Sequence, residues 1–133
     1  MTVISAQFRT VAGTAASLGT TGGTSVVVDR PDGRAGGLGL GLNGGQLLAL
    51  AVGGCLCNDL RHTADATGTD LPDFTAAVDV TVGDTGLVTA VAVRVRPLDG
   101  DPAAFADLLA RAAAGSTVVR SLVAGVPVDV TTG

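Results

Sequence analysis

The chain has 133 residues, enough for one domain with a core of its own and too few to argue for two. Hydrophobic residues make up 47% of it, yet its only aromatic residues are three phenylalanines, so Val, Leu and Ala must build the core. A net charge of −4, with every basic residue an arginine and no basic run, argues against nucleic-acid binding, and the longest apolar run, residues 47–57, is too short to cross a bilayer.

The opening residues hold no charged segment followed by an apolar stretch, so the expected location is the cytoplasm. In that reducing compartment Cys55 and Cys57 are not read as a structural disulfide. Two helical positions this far apart also face different sides, which makes a bond between them geometrically poor.

Residues 2–11 alternate loosely and predict an opening strand. Residues 13–24, rich in Gly, Thr and Ser, read as a hairpin connection with room for a short second strand. Residues 25–29 carry Val26, Val27 and Val28 in succession and predict a strand. Residues 30–45 contain seven glycines and one proline, so no regular element is expected there.

From Gln46 to about Thr67 the pattern turns helical. Leu47, Leu48, Leu50, Ala51, Val52, Cys55, Leu56 and Leu60 leave almost no polar side at first, which predicts burial within the molecule or in a dimer. Gly68 and Pro72 mark its end. Phe74, Ala76, Val78, Val80 and Val82 then share one strand face, and after a Gly83-Asp84-Thr85-Gly86 turn Val91, Val93 and Val95 alternate with Arg94 and Arg96. Such a hairpin has one wet face. Asp101 and Pro102 open a helix to about Ala114, as N-cap and first helical residue. A short helical piece follows over residues 118–123, and Val126, Val128 and Val130 predict a closing strand. Strands, long helix, hairpin, helices and strand in that order make an α+β domain spanning residues 1–133.

Asp29-Arg30-Pro31, Gly36-Gly37, Gly41-Leu42-Asn43 and the run from Gln46 to Cys55 together resemble the OsmC/Ohr family. There a D-x-P loop and a glycine-rich turn lead into an N-P-x-x-L-L segment, the start of the central helix that carries the reactive cysteine. Asp59-Leu60-Arg61-His62-Thr63-Ala64, and the tail from Leu109 to Val130, follow the same pattern. The resemblance implies an OsmC-like fold, with antiparallel sheets wrapped around a long buried central helix in an intertwined homodimer. It also implies thiol-dependent reduction of organic hydroperoxides, with the reactive cysteine at Cys55. The match departs at several positions. The Ohr-type glutamate ten residues before the cysteine falls on Gly45, and the proline of N-P-x-x on Gly44. The second cysteine of an H-x-x-C-P stretch falls on Thr117, with its histidine and proline on Ala114 and Val118. No internal disulfide cycle between two distant cysteines remains, so an external thiol or dithiol would have to resolve the oxidised form.

A thiol peroxidase needs a thiolate at Cys55, and a cation or hydrogen-bond donors nearby would favour it. The resemblance makes Arg9, the only arginine of the N-terminal sheet region, the candidate thiolate stabiliser, although a solvated strand charge is the plainer reading. Arg30 and Arg34 in the loop before the helix are alternatives. Cys57 reads as packing. Asp59 and His62 lie four and seven residues after Cys55 on one helix face, which suggests base assistance. The helical rise nevertheless places His62 roughly 10 Å from Cys55 along the axis. The glycine-rich stretch from Gly37 to Gly41 lacks the Lys-Ser/Thr of a phosphate-binding loop. Gly53-Gly54 inside a helix calls for close approach by another backbone, such as a partner's helix. One histidine and two cysteines form no recognised metal set, and no cofactor is expected. The leading expectation is thus a hydroperoxide reductase with Cys55 attacking. The rivals are a binding module holding a small hydrophobic ligand and a redox sensor without turnover.

Overall fold

The computed structural model describes residues 1–133 and is α+β, with two small antiparallel sheets and three helices. The chain divides into two compact units, Met1–Leu48 and Ala49–Gly133.

In the first unit β1 (Gln7–Thr10), β2 (Ser17–Thr21) and β3 (Thr24–Val28) form an antiparallel sheet in that order. The opening strand is shorter than its alternation suggests, because the ladder begins only at Gln7, opposite Thr20. The Gly/Thr/Ser stretch does contain a second strand, β2, whose register against β3 runs from Ser17↔Val28 to Thr21↔Thr24.

The loop after β3 is organised around Asp29, which is buried at 8% exposure. Its carboxylate accepts the backbone N–H groups of Arg30 at 2.8 Å and of Leu38 and Leu40 at 3.0 Å each. Those bonds, led by Leu40 and Leu38, hold its pKa below the usual 3.8, against the opposing effect of burial. The loop therefore cradles the chain's own carboxylate, which takes the Arg30, Leu38 and Leu40 N–H groups. Beyond it Leu42 bridges Val28 in parallel, and a Cβ at Gly41 would collide with the Val27 carbonyl, so only glycine fits there.

Helix α1 (Gly44–Thr67) starts in the first unit and continues into the second. It begins two residues earlier than its apolar pattern suggests, because Asn43 and Gln46 form a reciprocal cap. Asn43 Oδ1 accepts the Gln46 N–H, and Gln46 Oε1 accepts the Asn43 N–H, both at 2.9 Å. The helix ends at Gly68, where φ is +63°.

In the second unit Val52, Leu56, Leu60 and Ala64 form the buried stripe of α1. Leu56, Leu60 and Ala64 pack with Phe105, Leu108 and Ala112 of α2 (Pro102–Gly115) into the core, and Leu71, Phe74, Val93 and Val95 close around it. Within the single chain the helix is not buried all round: Leu50 is 61% exposed, and Ala51 and Gly54 on the same side are exposed too. Within the chain it is the Val78 side chain of β4 (Phe74–Val82) that comes close to Gly53, and nothing of the same chain lies near Gly54.

Strand β4 pairs antiparallel with β5 (Val88–Pro97), with an irregularity between Thr81 and Val82. The polar face carries a salt bridge from Arg94 to Asp79 at 2.7 Å, both side chains more than 60% exposed (67% and 61%). Asp101 caps α2 as expected, accepting the Ala103 N–H at 3.0 Å. Helix α3 (Thr117–Ala124) follows after Ser116 alone. The closing strand does not form within the chain: Val126, Val128 and Val130 are 60%, 82% and 87% exposed and lie outside any element. Alternation favours an extended segment, but a strand also needs a neighbour to take its hydrogen bonds.

Candidate active site

Cys55 lies in the middle of α1, half-buried, on the flank between the core stripe and the open face. Two side chains meet its sulfur. Asp59, one turn along the helix, places Oδ2 3.4 Å from Sγ and accepts the thiol hydrogen bond. Ser116 comes from the α2–α3 junction, 61 residues away in sequence, and its hydroxyl donates to Sγ at 3.5 Å. A carboxylate can only accept, which fixes the polarity as Ser116 O–H to sulfur and sulfur S–H to Asp59.

Ser116 has no exposed surface and serves as cap residue to both helices. Its backbone N–H donates to the Ala113 carbonyl at 3.3 Å, and its carbonyl accepts the Arg120 N–H at 3.0 Å. Thr117, where the resemblance places a second cysteine, is exposed. The side chain facing Cys55 is the one before it. A serine just ahead of a helical pattern reads as a cap, and nothing local in the sequence announces a partner so far away.

Of the Cys55-Asp59-His62 stripe, the structure brings the first two together and leaves His62 exposed. Cys57 is half-buried, and both cysteines are free. Arg9 is exposed on β1 opposite Leu18, and Arg30 and Arg34 are exposed in the Asp29 loop, all three in the first unit. Gly45, in the first turn of α1, supplies no acid. No group of three or more His, Cys, Asp or Glu residues could hold a metal ion. A cavity of about 360 Å³ lies in the first unit, lined by Phe8, Val28, Asp29, Leu42 and Leu47 among others. No helix is long and apolar enough to cross a membrane.

The fold is one shared with known structures. An organic hydroperoxide resistance protein OsmC from Legionella pneumophila superposes with a TM-score of 0.68 at 21% identity, covering 92% of this chain and 90% of that one. The organic hydroperoxide resistance protein OhrB of Bacillus subtilis gives 0.65 at 20% identity, covering 90% of each. An OsmC-like protein of unknown function from Vibrio cholerae gives 0.68 at 10% identity, covering 91% and 94%. These likenesses establish the fold class. No curated protein matches the chain. The family model described as OsmC-like protein matches residues 36–131, from the glycine-rich turn to beyond α3, and the chain belongs to the OsmC-like family.

Proposed function

We propose that the chain is a thiol-dependent hydroperoxide reductase with Cys55 as its nucleophile. Family membership supports a role in peroxide resistance or stress. The observation that carries the finer reading is a half-buried thiol on α1 with a hydrogen-bond donor and an acceptor on its sulfur. The thiolate attacks the terminal peroxide oxygen, the O–O bond breaks, and the alkoxide takes up the proton the thiol gave up. Cys55 becomes a sulfenic acid and the peroxide an alcohol. An external thiol then condenses with the sulfenic acid, releasing water and leaving a mixed disulfide. A second thiol, or the other sulfur of a dithiol, displaces Cys55 in its reduced form. Arg9 remains a candidate for stabilising the thiolate. The cytoplasm, with its thiol pool, is the compartment such a cycle needs.

The same reading includes a homodimer. The apolar side of α1 at Leu50, Ala51 and Gly54 is exposed, and the alternating Val126, Val128 and Val130 have no strand to pair with, so a second copy would cover both. A second functional reading, a module binding a small hydrophobic ligand, draws on the cavity beside Phe8, Val28, Leu42 and Leu47.

The test is steady-state consumption of an organic hydroperoxide with a dithiol supplied. Turnover that is lost in Cys55→Ser and kept in Cys57→Ser supports the reductase. Absence of turnover, or its survival in Cys55→Ser, refutes it, and hydrophobic ligand retained by the purified protein would then favour the binding module.

A further inference from the structure

A serine at a helix N-cap ordinarily turns its oxygen toward the N–H groups of the first helical turn. Ser116 caps α3 by position but makes no side-chain cap. Although fully buried, its hydroxyl is directed at Cys55 Sγ, 3.5 Å away, while Asp59 takes the thiol hydrogen. The two contacts respond in opposite ways to loss of the thiol proton. The S–H···Asp59 bond disappears with that proton. The Ser116 O–H···S bond strengthens, because its acceptor becomes charged.

We propose that Ser116 is a positioning residue for Cys55: its buried hydroxyl holds the sulfur in place and stabilises the thiolate. The inference rests on Cys55 being the reactive thiol. It assigns to a neutral donor the help that other reactive thiolates take from a cation or a helix N-terminus. It also gives a reason for the missing cap, since the side-chain orientation that brings the hydroxyl to the sulfur leaves its oxygen without the N–H groups of the first turn of α3. The exposed Thr117 next to it has no such role.

The test uses a Cys57→Ser background, in which Cys55 is the only thiol. Alkylation by iodoacetamide is followed across pH for that protein, for Ser116→Ala and for Thr117→Ala, beside thermal melting. Asp59, the charged side chain on the sulfur, is common to all three. Ser116→Ala is expected to slow alkylation at neutral pH about tenfold and to displace the pH–rate profile by about one unit toward alkaline, as loss of a charge-assisted bond requires. Thr117→Ala keeps the parent profile. A Ser116→Ala protein that melts normally and alkylates as the parent does overturns the proposal. If Ser116→Ala does not fold, Ser116→Thr and Ser116→Val, which differ chiefly in the hydroxyl, repeat the comparison. Thr must then keep the parent profile and Val displace it, and equal profiles overturn the proposal. Alkylation needs no peroxide, so the two readings fail separately. A Ser116-dependent profile without peroxide turnover removes the reductase and leaves this inference, and turnover with an unchanged profile does the reverse.

Discussion

Gly53 offers a direct energetic test of how α1 packs on the β4–β5 hairpin. A Cβ added there would lie 2.9 Å from Val78 Cγ2, well inside the 3.5–4.0 Å optimum for carbon pairs. Val78 is β-branched and half-buried on β4, so it has little freedom to turn away. Overpacking of this kind costs about 1–3 kcal/mol. Replacing a mid-helix glycine by alanine returns about 0.8–1.0 kcal/mol of helix propensity. Gly53→Ala should therefore destabilise by about 1 kcal/mol net. In a Val78→Ala background the obstruction is gone, and the same substitution should stabilise by about 1 kcal/mol. The coupling between the two is then about 2 kcal/mol, well above the 0.3–0.5 kcal/mol expected of independent sites. Urea unfolding of the four proteins at one protein concentration, followed by circular dichroism with an unchanged m-value, measures it. Additive effects would refute the close approach of Val78 to α1.

Other expectations follow from the core, the loop and the open helix face. Leu60 has no exposed surface, so Leu60→Ala should cost about 2–5 kcal/mol in urea unfolding, and Leu60→Met under about 1.5 kcal/mol. Asp29 has a folded pKa below 3.8, so its bonds contribute fully above that value and are lost as pH falls through the lower folded value. The Leu38 and Leu40 amide resonances should titrate with a midpoint below 3.8, and Asp29→Asn should abolish the step; a midpoint at or above 3.8 contradicts the cradle. Leu50 is 61% exposed, so Leu50→Asp should change the stability of the isolated chain by no more than about 0.5 kcal/mol. In sedimentation it should convert the proposed dimer to monomer, and an unchanged sedimentation coefficient would remove that face from the interface.

Local signals served well wherever the deciding interaction was local. The period-two pattern of residues 74–82 and 91–95 is the β4–β5 hairpin, and Asp101-Pro102 marks the start of α2 as capping chemistry requires. The start of α1 is two residues before Gln46 because Asn43 and Gln46 cap it reciprocally, while Gly44 and Gly45, both poor helix formers, carry no helical signal. Asp59 follows from helical spacing, and the same geometry removes His62. What depended on distant partners could not be read. The valines of residues 126–130 carry a strand pattern without a strand to join, and the glycine pair marks a close approach without naming Val78. Ser116 looks like an ordinary cap until the fold brings it to Cys55.

The most direct measurement is the rate at which Cys55 is oxidised by an organic hydroperoxide and by hydrogen peroxide, with Cys55→Ser as control and sulfenic acid trapped for mass spectrometry. The account predicts fast oxidation by the organic peroxide, slower oxidation by hydrogen peroxide, and no trapped product in the control. Oxidation of Cys55 no faster than that of a free thiol would contradict it.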